Sequence, residues 1–407
     1  MKLLVEFRSL LESSSFSVFE LEESLDINFL PKFLPWRENQ VKELAVLFKP
    51  LLFRHFDTIN VVVKGPSGSG KSVTVKRFGE EFATYARERG IRLFFTHLNA
   101  RKHKTLYLML SEVAKQLNAN IPNRGLSTQE MFKKVYEHLE RKNAHLIFAI
   151  DEFDYFARAN PIDDVTFLTR YYDELRYDTK RVSFIFLLKD LSPVVEVKDQ
   201  ITSVIDFLPY TSRELFDILI DRVKNEKAFK EGAVEEEAVR LIADTYGIDK
   251  NGSGNARLAI ETLRLAGKIA DAEEAPIVAV DHAKRAVAKI SPELSIVGEA
   301  VKVLQLHELL LLKTVINLQK ENSINMFPIG VVEERYSSAA KEIGEEPRKH
   351  TQVYEYVMRM KLLGVVHASQ SGRGTRGRTT IVSLAFSPTP EIERMIELRI
   401  KDARAGS

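Results

Sequence analysis

The plainest chemistry in the chain lies in eight consecutive residues, Gly65, Pro66, Ser67, Gly68, Ser69, Gly70, Lys71 and Ser72. They fit the spacing G-x-x-x-x-G-K-[ST] of a phosphate-binding loop. Glycines there let successive backbone N–H groups close around phosphate oxygens, and a helix opening at the loop adds its positive dipole end. Lys71 would reach the β- and γ-phosphates, and Ser72 would offer a hydroxyl to Mg²⁺. Alone, the octet also fits a glycine-rich turn with a lone lysine. Asp151 and Glu152 supply a second element, at the end of the apolar run 146–150. An acid at the carboxyl end of a buried parallel strand beside the loop-bearing strand can hold Mg²⁺ or its water, and the following glutamate can orient or deprotonate an attacking water. A third is Arg257, which begins a helical stretch after the turn-rich loop 247–254. A guanidinium fork there could report a γ-phosphate; an exposed helical arginine is the plainer alternative.

These groups need elements to position them, and the pattern provides them. Residues 58–210 alternate β-type runs (59–64, 92–97, 145–150, 183–188 and 204–208) with amphipathic helical stretches, the signature of a parallel sheet with helices on both faces. The octet sits between the first run and the helix-competent stretch 72–89. After residue 210 the strand signal stops, and helices are expected over 212–224, 235–246, 255–271 and 280–289, a helical lid. From about residue 304, three helices (307–318, 330–343, 349–363) precede two β-type runs (365–369, 379–385), the order of a winged helix-turn-helix. A last helix over 388–403 would pack back on it. The expected division is 1–28, of unassigned role; 29–210, an α/β P-loop domain; 211–295, a lid; and 300–407, a winged-helix domain.

Composition narrows the class. There are 407 residues, 59 Lys and Arg against 57 Asp and Glu, and no cysteine, so disulfides, thiolate metal sites and a thiol nucleophile are excluded. The nine histidines show no metal-ligand spacing. No apolar run reaches membrane-spanning length and the first residues do not resemble a secretory signal, so a cytoplasmic protein with no membrane partner is expected.

Net charge is near neutral, but the basic residues cluster. Arg348, Lys349, Arg359 and Lys361 lie on or beside the third C-terminal helix, and Arg373, Arg376 and Arg378 lie in the glycine-rich turn between the two strands; Glu355 alone opposes them. Duplex DNA binding draws on such clusters. A recognition helix presents its first residues to the major groove, which points to Arg348, Lys349, Thr351 and Gln352, while the wing could enter a minor groove. A protein-binding winged helix remains the alternative. In the P-loop domain, the segment 99–118 places Arg101, Lys102 and Lys104 ahead of an amphipathic helix whose residues Leu106, Leu108, Leu110, Val113 and Leu117 could pack inward.

The P-loop, the strand ending in Asp-Glu, the segment Gly254-Asn255-Ala256-Arg257-Leu258-Ala259-Ile260, the approach segment 34–40 (LPWRENQ) and the wing 371–379 together resemble the archaeal origin-recognition and cell-division-control replication initiators, which are AAA+ ATPases with a C-terminal winged helix. The resemblance implies that Lys71, Ser72, Asp151 and Glu152 are the Walker residues and Arg257 the second sensor. It places Pro35 and Arg37 near the adenine and the 99–118 helix near DNA. The implied ligands are ATP or ADP with Mg²⁺; the implied partners are double-stranded origin DNA, a replicative helicase and paralogous initiator subunits. Two positions depart from the pattern. Lys189 stands where a polar sensor asparagine is usual, and it could touch phosphate as a charge but cannot accept from water. No arginine occurs between Arg181 and Arg213, where a trans-acting finger would be expected, so slow turnover is implied. A DNA-binding regulator that holds nucleotide with negligible turnover, and a signalling ATPase with a protein-binding winged helix, are the competing readings.

Overall fold

The computed structural model describes residues 17–53, 58–122, 125–175, 179–189, 191, 199–250, 252–322, 325–370 and 379–405. The chain divides into two compact units. One holds Leu21–Ala228 together with Gly254–Arg257; the other holds the described residues up to Glu20, then Phe229–Ser253, and all from Leu258 onward.

In the first unit the order is α1 (Glu38–Phe48), β1 (Asn60–Lys64), α2 (Lys71–Glu88), β2 (Leu93–Asn99), α3 (Leu106–Gln116), α4 (Thr128–Arg141), β3 (His145–Asp151), α5 (Phe153–Ala159), α6 (Ile162–Leu175), β4 (Val182–Leu188), β5 (Ser203–Asp206) and α7 (Ser212–Lys224). The strands pair in parallel in the order β2-β3-β4-β1-β5. β3 and β4 are buried along their whole length, as apolar strands covered on both faces must be. Their side chains alternate between two cores. Phe148, Phe184 and Phe186 join α3 to α6 on one face, while Ile147, Ala149, Ile185 and Leu187 meet α1 and α2 on the other. One expectation needs correcting: the strand that ends in Asp151 is not the neighbour of β1. β4 lies between them, because strand order is set by long-range pairing and leaves no trace in local periodicity. The helix starts have local causes. Ser127 and Glu130 form a capping box on α4, as do Thr211 and Glu214 on α7.

In the second unit the elements are α8 (Glu236–Tyr246), α9 (Ala256–Ala272, whose first two residues belong to the other unit), α10 (Val280–Ile290), α11 (Pro292–Val303), α12 (Leu306–Glu321), β6 (Phe327–Pro328), α13 (Ile329–Glu342), α14 (His350–Leu362), β7 (Val366–Gln370), β8 (Thr380–Leu384) and α15 (Pro390–Ala405). The three strands form an antiparallel sheet in the order β6-β8-β7. Leu309, Leu312 and Val315 of α12 share a core with Tyr336 of α13, with Val353, Val357 and Met360 of α14, and with Ile392, Ile396 and Ile400 of α15. The isoleucine spacing of four thus brings the last helix back onto the domain. Two elements escape the sequence pattern. α11 carries exposed Ile296 and Val303 that blur its stripe, and β6 is two residues long and ends in proline. Residues 17–20, unassigned from sequence, join the lid helices. Ser17 Oγ and the Val18 amide donate to the Asp271 carboxylate at 2.7 and 2.6 Å, and Phe19 packs on Phe229. Among the described residues no helix is long and apolar enough to cross a membrane.

Candidate functional site

The octet closes the carboxyl end of β1 and opens α2. Gly68 and Gly70 have φ of 76° and 88°, a backbone that favours glycine. A side chain at Gly70 would also strike the Tyr210 hydroxyl. Behind the loop lies Arg37, only 4% exposed. Its Nε donates to the Ser69 carbonyl at 3.0 Å, and its Nη groups donate to Trp36 O at 3.0 Å and Leu208 O at 2.8 Å. The guanidinium stacks 3.8 Å from the Tyr210 ring centroid. Arg37 therefore supports the loop from within; Pro35, two residues earlier, is half-buried. The lid motif meets the loop from its other side. The Ala256 amide donates to Gly68 O at 3.1 Å, the Tyr210 amide donates to Gly254 O at 3.1 Å, and the Asn255 side chain covers Gly68. Arg257 is exposed one residue further on.

The Lys71 ammonium turns into its own loop, donating to Gly65 O at 2.6 Å and Pro66 O at 2.8 Å. Burial lowers its pKa to about 8, with Asp151 and Asp154 opposing that shift and the charge of Lys189 adding to it. Lys189 thus lies near Lys71, exposed just past β4. Ser72 and Asp151 share a hydrogen bond, and the Asp151 carboxylate also accepts from the Glu152 amide at 2.9 Å and has His97 Nε2 at 3.3 Å. Burial alone would raise the Asp151 pKa, but the contacts with His97, Ser72 and the amide outweigh it and hold the carboxyl below its usual range. A hydroxyl and a carboxylate side by side are hard oxygen donors suited to Mg²⁺, which commonly takes one or two protein oxygens alongside phosphate oxygens. Glu152 sits at φ 53°. Its carboxylate is engaged by Arg101, whose guanidinium also lies 5.1 Å from the Tyr155 ring centroid.

The register explains this last pairing. Asn99 at the end of β2 lies opposite Asp151 at the end of β3, so the segment after β2 passes directly beside Glu152. Of the basic trio there, Arg101 faces the candidate catalytic glutamate, while Lys102 and Lys104 are exposed. α3 buries Leu106, Leu110, Val113 and the following Leu117 as its stripe predicts; Leu108 instead is 48% exposed. His97 has no motif that would single it out. It acts only through the tertiary approach of β2 to β3.

In the winged helix, α14 takes the place of the recognition helix. Arg348, Lys349, Thr351 and Gln352 are exposed around its start. Arg359 is engaged elsewhere: its guanidinium donates to the fully buried Glu308 carboxylate at 3.1 Å and to Val303 O at 3.2 Å. Lys361 likewise donates to Ala368 O at 2.7 Å. Both cations hold the C-terminal end of α14 in place. Arg373, Arg376 and Arg378 lie outside the described residues.

A parallel P-loop sheet with this strand order, lid helices and a three-stranded winged helix define an AAA+ ATPase with an appended winged-helix domain. The family models agree. Residues 55–190 match the AAA domain, 216–288 the Cdc6 AAA+ ATPase-type lid domain, and 299–393 the CDC6 C-terminal winged helix domain. The chain belongs to the archaeal ORC1/Cdc6 family of DNA replication initiators. ORC1-type DNA replication protein 2 of Sulfurisphaera tokodaii is 51% identical to it, over 99% of this chain and 98% of that protein; the protein of the same name from Sulfolobus acidocaldarius is 48% identical over 95% and 94%. Among solved structures, Aeropyrum pernix ORC2 in ADPNP–ADP complexes is similar with a TM-score of 0.66 at 25% identity, covering 96% of this chain and 100% of that one. Aeropyrum pernix ORC1 in complex with DNA has a TM-score of 0.60 at 26% identity, covering 95% and 97%.

Proposed function

We propose that this chain binds ATP or ADP with Mg²⁺ at the phosphate loop and duplex origin DNA through its winged helix and the segment after β2. Slow ATP hydrolysis then acts as the switch that governs helicase recruitment. Lys71 and the loop amides would hold the phosphates, Ser72 and Asp151 the Mg²⁺, Glu152 the attacking water, and Arg257 the γ-phosphate. The observation that carries the reading is that the groups for turnover are present but engaged by the protein itself: Lys71 by Gly65 and Pro66 carbonyls, and Glu152 by Arg101. Both must be released before chemistry. With no arginine between Arg181 and Arg213 to supply a finger worth about 10³ to 10⁵ in rate, binding should far outrun hydrolysis.

The DNA-bound Aeropyrum pernix ORC1 supports the duplex as ligand, and its ORC2 with bound ADPNP and ADP supports the nucleotide. Recruitment of a helicase and cooperation with paralogous subunits are supported by family membership; Sulfolobus acidocaldarius has relatives named both protein 1 and protein 2. The test pairs single-turnover ATP hydrolysis by the wild type and Glu152→Gln with genome-wide mapping of bound DNA. Slow hydrolysis abolished by the substitution, together with a few discrete bound sites, is expected. Hydrolysis that survives Glu152→Gln, or binding spread over many promoters, would overturn the reading.

A further inference from the structure

α14 is anchored on one side and bare on the other. Val353, Val357 and Met360 are buried in the winged-helix core. At its start the Arg348 amide donates to the buried Tyr336 hydroxyl at 3.2 Å; at its end Arg359 and Lys361 are spent on Glu308 and Ala368 O. Opposite the buried residues, at spacings of four and seven, Thr351, Glu355 and Leu362 are exposed on the outward stripe of a helix with 3.6 residues per turn, while Met358 between them is half-buried and packs against the winged-helix core. Leu362 is 89% exposed. No cation stands on this stripe. The carboxylates around it differ in their company: Glu333 has His350 Nδ1 at 2.6 Å and Glu308 has Arg359, but exposed Glu355 has no ion-pair or hydrogen-bond partner among the described residues.

We propose that Glu355 is a base-reading residue. With α14 seated in a major groove, its carboxylate accepts a hydrogen bond from the exocyclic amino group of cytosine, and Thr351, one turn earlier, lies against a neighbouring base edge. The inference rests on the DNA-binding reading above and deepens it. A carboxylate on the outermost stripe repels phosphates, so it weakens binding to arbitrary sequence; it can be offset only where the groove presents a donor. Cytosine presents its N4 amino group as a donor, whereas adenine sets its N6 donor beside the N7 acceptor, which an acceptor-only carboxylate disfavours. The arrangement trades affinity for discrimination, while Arg348 and Lys349, just ahead of the helix, supply the phosphate attraction.

The experiment is selection of bound sequences from a randomised duplex by the full chain with ATP and Mg²⁺, comparing the wild type with Glu355→Gln and Glu355→Ala, alongside affinity for unselected duplex. The wild-type motif should contain a position favouring C·G. That preference should fall about tenfold in Glu355→Ala and move toward adenine in Glu355→Gln, since an amide can both donate and accept there. Affinity for unselected duplex should rise in both variants. Identical motifs from all three proteins would overturn the inference, as would a wild type that enriches no base position; salt-dependent duplex binding would leave the broader DNA reading standing in either case. A wild type that binds no duplex would instead remove the broader reading.

Discussion

Arg37 makes the sharpest quantitative test, because it joins the fold to the phosphate loop through a few measurable contacts. Arg37→Ala removes three hydrogen bonds of 2.8 to 3.0 Å and a stack 3.8 Å over Tyr210. A hydrogen bond from a charged donor contributes about 1.5–3 kcal/mol and a desolvated cation–π contact about 2 kcal/mol. These terms do not add in full, because the guanidinium is itself desolvated and water can reach part of the gap. A net loss of about 3–5 kcal/mol in the stability of this unit is expected. The bond to Ser69 O acts on the loop itself, so about 1.4 kcal/mol should also appear as roughly tenfold weaker nucleotide binding. Urea unfolding followed by the single tryptophan, and titration with a fluorescent ATP analogue, read the two effects separately. Arg37→Lys should recover less than half of either, since an ammonium keeps the charge but neither the fork nor the planar stack. An Arg37→Ala protein with unchanged urea midpoint and unchanged analogue affinity would refute the strut.

Further outcomes follow from the same geometry. The Lys71 pKa is lowered from 10.5 to about 8. In the ligand-free protein the lysine's contribution to stability therefore rises with pH between about 8 and 10.5, where the unfolded chain binds the extra proton, while nucleotide affinity falls above about pH 8 as the charge is lost; equilibrium binding across pH 7 to 10 checks this, with Lys71→Met expected to be flat. Arg101→Ala should raise single-turnover hydrolysis several-fold by freeing Glu152, and the double variant with Glu152→Gln should show none of that gain. Arg359→Ala leaves the buried Glu308 carboxylate with the Gln305 amide, which donates to it at 2.7 Å, but without its cation. It should destabilise the winged-helix unit by about 2–3 kcal/mol, at the low end for a buried pair because Arg359 is half-exposed, as differential scanning calorimetry would show. Arg348→Ala and Lys349→Ala should weaken duplex binding across sequences and flatten its salt dependence by about one unit per lost phosphate contact, as should Arg373→Ala and Arg376→Ala in the wing.

What the sequence revealed and what it hid separate along a physical line. GPSGSGKS between an apolar run and a helix is a local pattern, and so are the buried strand ending in Asp151 and the isoleucine ladder of the last helix. Each therefore shows in its own stretch of chain. His97 beside Asp151 arises from pairing of β2 with β3, and Arg37 under Ser69 from a contact spanning 32 residues. Neither has a local signature. The same limit applies to β4 intervening between β1 and β3. Charge is legible but direction is not: Arg359 and Lys361 count as cations of the recognition helix in sequence, yet in the fold they face Glu308 and a backbone carbonyl. Glu355 shows the opposite case, since what sets it apart is its position on the outward stripe.

The hydrogen bond from Ala256 to Gly68, and the cover that Asn255 places on that glycine, mean that the phosphate loop is completed by chain that arrives more than 180 residues later. A fragment ending at residue 210 would possess the whole octet together with Asp151 and Glu152 and still lack one wall of that loop. During synthesis, too, the loop is without this wall until the lid motif has been made.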